Sequence, residues 1–156
     1  MQSTWAVEGV LRIRVSGLGQ NIDLSLLDTA TVGDLKAKIQ VATGLPPPHQ
    51  KLLFRGRAFL EDGQLATSAG IIDRTKLMLM RSEEGVRDAS AAEAILALAR
   101  DIDALSAREL SSRALEELVT QLCCKLDAIE IGDSATLREM RRAQIRRAEG
   151  LCKAAD

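Results

Sequence analysis

Aromatic residues are almost missing from this chain: its 156 residues include no Tyr, two Phe and one Trp. Aliphatic side chains must therefore build any core. Single-stranded nucleic-acid recognition, which stacks bases on aromatic rings, lacks its platform. Proline occurs only as Pro46-Pro47-Pro48, and the one histidine, His49, follows directly. With no Cys or acid at ligand or nucleophile spacing, His49 reads as a loop residue rather than a metal or catalytic group. The glycine-rich phosphate loops G-x-x-x-x-G-K-[ST] and G-x-G-x-x-G do not occur. The expectation is a protein that is not an enzyme and needs no cofactor or metal.

Cysteine is scarce and odd in number. Cys123, Cys124 and Cys152 read as reduced, buried small hydrophobes in a chain without a secretory signal. Residues 1–20 carry Glu8, Arg12 and Arg14 among apolar positions, which is not a signal-peptide pattern. No uncharged run is long enough to cross a bilayer. These readings predict a cytoplasmic protein, with the nucleus also open to it. A dominant charge is missing too, since 21 Lys and Arg stand against 22 Asp and Glu. Non-specific polyanion binding by the whole protein is disfavoured. The balance conceals a split: residues 1–81 hold 10 basic and 7 acidic groups, residues 82–156 hold 11 and 15.

What is present is 46% hydrophobic residues, ample for folded domains, and two kinds of periodicity. Leu11, Ile13 and Val15 alternate with Arg12 and Arg14, and after Ser16-Gly17-Leu18-Gly19 the residues Ile22, Leu24 and Leu26 alternate with Asp23 and Ser25. This is a hairpin with one buried face. Thr31 and Asp34 resemble a capping box ahead of Val32, Leu35 and Ile39 at helical spacing, and Gly44 sits at the C-cap. Residues 51–54 and 76–80 read as two more strands, giving β-β-α-β-β with one helix across a mixed sheet. Ser82-Glu83-Glu84-Gly85 reads as a polar connector. Beyond it there is no proline, and three apolar stripes follow: Ile95, Leu98, Ile102, Leu105; then Leu115, Leu118, Leu122, Leu126, Ile129; then Leu137, Met140, Ile145, Ala148, Leu151. Ile131-Gly132-Asp133-Ser134 is a turn, with Ser134 or Thr136 as cap. Three amphipathic helices with short links predict an antiparallel bundle.

The strings Leu35-Lys36-Ala37-Lys38-Ile39-Gln40, Gly44-Leu45-Pro46-Pro47, Gln50-Lys51-Leu52-Leu53-Phe54-Arg55-Gly56 and Leu60-Glu61-Asp62-Gly63 resemble ubiquitin, over about residues 10–81. The resemblance implies an α+β ubiquitin-like β-grasp domain. The closing strand runs on through Met80-Arg81-Ser82-Glu83 instead of ending in Gly-Gly, so it implies an integral domain and not a conjugated modifier. It also implies a shallow docking patch at Leu53, Met78 and Met80 for a ubiquitin receptor such as the proteasome, where adaptable methionines could receive a partner helix. Without the resemblance these are ordinary exposed apolar residues.

In the second half, Gln121-Leu122-Cys123-Cys124-Lys125-Leu126-Asp127-Ala128-Ile129 and Leu137-Arg138-Glu139-Met140-Arg141-Arg142-Ala143-Gln144-Ile145-Arg146-Arg147 resemble the last two helices of a BAG domain. The expected layout is a ubiquitin-like domain at 10–81, a linker at 82–88 and an all-α, BAG-like three-helix antiparallel bundle at 89–155. The family's members are nucleotide-exchange factors for seventy-kilodalton heat-shock chaperones, gripping the ATPase domain through acids on one helix and basic or polar groups on the next. Carried over by motif, the contacting positions are Glu117 and Asp127, then Arg138, Arg141 and Arg142, with Glu149 where the family has glutamine. Ten residues separate Glu117 from Asp127, about 15 Å of helix, suited to two anchor points on a partner and too far for paired acid–base chemistry. Glu149 departs from the pattern because a carboxylate accepts hydrogen bonds but cannot donate them. The implied protein is a monomeric co-chaperone. The rival readings are a ubiquitin-receptor or proteasome adaptor without exchange activity, and a self-associating helical module.

Overall fold

In the computed structural model, residues 9–59 and 61–154 are described. Leu60 of the ubiquitin-like string and Ala155 of the expected bundle lie outside them. The chain divides into two compact units, the first ending at Val86 and the second beginning at Arg87.

The first unit is a five-stranded mixed sheet crossed by one helix. Strands β1 (Val10–Gly17) and β2 (Gln20–Leu27) form the hairpin, and α1 (Val32–Thr43) follows. Then come β3 (Gln50–Phe54), β4 (Arg57–Ala58) and β5 (Thr75–Arg81), in the sheet order β2-β1-β5-β3-β4. β5 lies parallel to β1 and antiparallel to β3. Alternation decides the faces. Ile13, Val15, Leu77 and Leu79 are buried against Leu35, Ile39 and Leu52, whereas Arg12, Arg14, Lys76, Met78 and Met80 point outward and are exposed.

Local chemistry fixes the helix. The Asp34 amide donates to Thr31 Oγ1 (3.1 Å) and the Thr31 amide to Asp34 Oδ2 (2.9 Å), a reciprocal cap that stabilises by about 1 kcal/mol. Gly44 closes α1 in the left-handed region (φ 79°). Gly17, at φ 145°, leaves no room for a side chain, since a Cβ there would lie 2.0 Å from the Leu79 carbonyl oxygen. His49 lies, as expected, in the connection between α1 and β3. It ends a short 3-10 turn, Pro47–His49, and is fully buried.

The stretch 82–88 is not an irregular connector. The helix α2 (Glu83–Ser106) starts at once, with the Gly85 amide donating to the Ser82 hydroxyl (3.0 Å). A polar run that reads as a link is here a capped first turn.

The second unit continues α2 and adds α3 (Ser112–Asp127) and α4 (Ala135–Ala154). Its core joins Ile95, Ile102 and Leu105 of α2 to Leu115, Val119, Leu122 and Leu126 of α3 and Leu137 and Ala148 of α4. Ser111 caps α3 by accepting from the Ala114 amide. Ser134 caps α4 by accepting from the Leu137 amide (3.1 Å), and its own hydroxyl donates to Asp88 (2.6 Å). Arg147 crosses to α2, donating to the Ala99 carbonyl and pairing with Asp103. All three cysteines are free. None is fully buried, and Cys124 is exposed. Among the described residues, no helix is long and apolar enough to cross a membrane.

Candidate functional site

Two surfaces carry the residues singled out from sequence. On the first unit, Leu53 and Met78 are direct register partners, and Met80 pairs with Lys51. Directly opposed side chains on neighbouring antiparallel strands lie about 5 Å apart. Leu53 is half-buried while Met78 and Met80 are 54% and 44% exposed. The three therefore form one outward patch, flanked by the ammonium groups of Lys51 and Lys76.

The second surface is built by α3 and α4. At about 100° per residue, the buried arc of α3 (Leu115, Val119, Leu122, Leu126) leaves Glu116, Thr120, Cys123 and Asp127 as one stripe at i, i+4, i+7 and i+11 on its flank. On α4 the same spacing aligns Arg138, Arg142, Ile145 and Glu149 beside the buried Leu137 and Ala148. The other flank of each helix is taken by α2: Leu118, Gln121 and Lys125 line a cleft with Asp101 and Leu105, and Arg147 reaches Asp103. The two stripes consequently share the outer face between α3 and α4. The Cys123 thiol reports their proximity. Its pKa is pushed up by burial first, and next by the charges of Glu149 on α4 and Asp127 on α3.

The structure thus brings Asp127, Arg138, Arg142 and Glu149 to one face, and all four are exposed. Among the described residues, neither Arg138 nor Arg142 is ion-paired, whereas Arg146 pairs with Glu139 (3.0 Å). Glu117 falls about 80° around α3 from Asp127, at the edge of that face. The acid in line with Asp127 is Glu116. Arg141 is half-buried, and its Nη1 donates to the Ile129 carbonyl (3.2 Å), tying α4 to the turn that follows α3. Glu116 and Thr120 were not singled out from sequence although their spacing was visible, and Ile145 was read only as part of the apolar stripe. The missing information was which flank of each helix the neighbouring helix covers.

Residues 11–84 match the model of the ubiquitin family, and residues 86–156 match the model of the BAG domain. The chain joins a ubiquitin-family domain to a BAG domain. It is similar to BAG family molecular chaperone regulator 4 of Arabidopsis thaliana, at 30% identity over 94% of this chain and 63% of that protein. It is also similar to an Arabidopsis thaliana protein with LRR repeats and a ubiquitin-like domain, at 36% identity over 49% of this chain and 20% of that one. The chain therefore spans less than two thirds of the length of either curated relative. A crystal structure of ATBAG1 in complex with HSP70 aligns with a TM-score of 0.45 and 19% identity, over 94% of this chain and 96% of that one. The exposed Leu53, Met78 and Met80 patch belongs to the ubiquitin-like domain, and the α3–α4 face to the BAG domain.

Proposed function

We propose that the protein is a co-chaperone whose BAG domain binds the ATPase domain of seventy-kilodalton heat-shock chaperones through the α3–α4 face. The observation that carries this reading is the pairing of two parallel stripes, Asp127 with Glu116 on one helix and Arg138 with Arg142 on the next, within a matched BAG domain. An exposed arginine that has spent nothing on its own chain can make bidentate pairs with partner carboxylates, and such residues often dominate binding. Acids about 16 to 17 Å apart along α3 supply a second line of contact.

Binding that favours an opened nucleotide cleft separates the groups holding the phosphates, so ADP leaves faster and ATP enters. Reciprocity follows: if the BAG domain weakens nucleotide binding, nucleotide weakens BAG binding by the same factor. The outward methionine patch of the ubiquitin-like domain gives the protein a route to the proteasome or another ubiquitin receptor. In this reading the protein works as a monomer in the cytoplasm. Glu149 favours a second reading, an adaptor that binds without exchange, because a carboxylate cannot donate the hydrogen bond that an amide makes.

Titration calorimetry of the full chain against a nucleotide-free chaperone ATPase domain tests the face. Reversing Arg142 (Arg142→Glu) is expected to weaken association by about tenfold or more, the scale of a lost interfacial charge pair. Arg146→Glu, which alters an arginine already paired with Glu139, is expected to change it little. Equal binding by wild type and Arg142→Glu would place the interface elsewhere.

A further inference from the structure

The ubiquitin-like domain has a second surface apart from the Leu53, Met78 and Met80 patch. A groove of about 400 Å³ crosses the outer face of β2, β1 and β5, lined by Arg12, Ile13, Arg14, Asp23, Leu24, Ser25, Arg74 and Lys76. Leu53, Met78 and Met80 are not among its walls. Arg14 and Lys76 are register partners on neighbouring parallel strands, an arrangement of like charges that destabilises a sheet unless anions offset it. Two acids offset part of the charge. Asp73 holds Arg12 through Nε (3.3 Å), Nη2 (3.0 Å) and the Arg12 backbone amide (2.8 Å), and Asp23 holds Arg14 Nε (3.0 Å). Both acids are thereby engaged, while Arg74 and Lys76 are exposed and, among the described residues, carry no ion pair. Arg74 stands in the left-handed region (φ 67°) with its amide donating to the Arg12 carbonyl (2.7 Å), a backbone state that glycine would adopt with less strain. The groove is left with two surplus positive charges.

We propose that this groove docks a carboxylate-rich segment of a partner protein, its acidic side chains pairing with Arg74, Lys76 and the outer donors of Arg14. The chemistry of the walls selects this occupant. The groove already holds carboxylates on its arginines, Asp73 on Arg12 and Asp23 on Arg14. Alternate residues of an extended segment lie about 7 Å apart on one side, so a Glu-x-Glu stretch can deliver two charges to one groove. A nucleic acid fits poorly, because it presents one charge per about 1.7 Å to a groove with two surplus cations, and no aromatic ring lines the groove for stacking.

The test is nuclear magnetic resonance of the isotope-labelled full chain, titrated at low salt with a capped hexaglutamate peptide. Amide shifts are expected to cluster at residues 12–14 and 74–76. Affinity is expected to fall about tenfold in Arg74→Glu/Lys76→Glu, to weaken in 0.3 M salt, and to be unchanged in Met78→Ala/Met80→Ala. The milder Arg74→Gln/Lys76→Gln pair serves if the reversal disturbs folding. The proposal is overturned if hexaglutamate shifts none of these amides or binds the reversed variant equally well. It is equally overturned if phosphatidylserine vesicles or duplex DNA occupy the groove while the peptide does not.

Discussion

Arg141 and Arg142 are neighbours in sequence with different duties. Arg141 lies close to the apolar arc of α4 and spends a donor on the Ile129 carbonyl. Arg142 lies one helical step away on the open face. Hydrogen bonds from charged donors contribute about 1.5–3 kcal/mol when shielded, so Arg141→Ala, at a half-buried site, is expected to lower stability by about 1 kcal/mol in thermal melts. Arg142→Ala is expected to stay within about 0.5 kcal/mol of wild type, as exposed substitutions usually do. If both arginines lower the melting temperature equally, the division of labour is wrong. Asp73 makes a pH prediction. Its hydrogen bonds to the Arg12 guanidinium, then to the Arg12 backbone amide, hold its pKa down to about 2. A carboxylate depressed in the folded state adds stability above its unfolded pKa, near 4, and loses it as pH falls toward 2. Acid titration of Asp73→Asn is therefore expected to show a shallower stability loss between pH 4 and 2 than wild type, and an identical slope would remove the linkage.

At the scale of elements, legibility followed periodicity. β1 and β5 were readable because Ile13, Val15, Leu77 and Leu79 alternate with charged or thioether residues, and the register then buried those four. α1 was readable from Thr31, Asp34 and Gly44, each with a local mechanism. β4 has two residues, too few to show a period, and it exists because Phe54 and Leu53 pair with Arg57 and Ala58. The start of α2 was hidden because Ser82-Glu83-Glu84-Gly85 is polar enough to pass for a link, yet a serine ahead of acids is also how a helix begins. The candidate site was legible one helix at a time. Its face was not, since Glu116 and Glu117 are equivalent acids until α2 is known to cover the Leu118–Lys125 flank. Gly17 offers a sharp test of the fit of β1 against β5. Gly17→Ala drives a Cβ against the Leu79 carbonyl in a backbone state unfavourable to alanine, and a loss on the order of 3 kcal/mol is expected in denaturant unfolding of the full chain. An unchanged midpoint would mean the strands separate there at no cost.

The whole molecule combines two domains, each with an exposed surface of its own. The basic surplus of residues 1–81 is concentrated on the outer sheet face, and the acidic surplus of residues 82–156 is interrupted on α4 by Arg138 and Arg142. If the proposed contacts of each domain rest on these local charges and not on the net charge of -1, salt is expected to weaken both. The activity proposed for the BAG domain is the opening of a chaperone's nucleotide cleft by its α3–α4 face. Stopped-flow release of fluorescent ADP from a purified heat-shock chaperone ATPase domain measures this directly. A saturating concentration of the 156-residue chain is expected to accelerate release by about tenfold or more, the range of an ordinary coupling free energy, and Arg142→Glu to need far higher concentrations for the same effect. A release rate unaltered by wild-type protein that demonstrably binds the ATPase domain would contradict the exchange mechanism and leave the adaptor reading in its place.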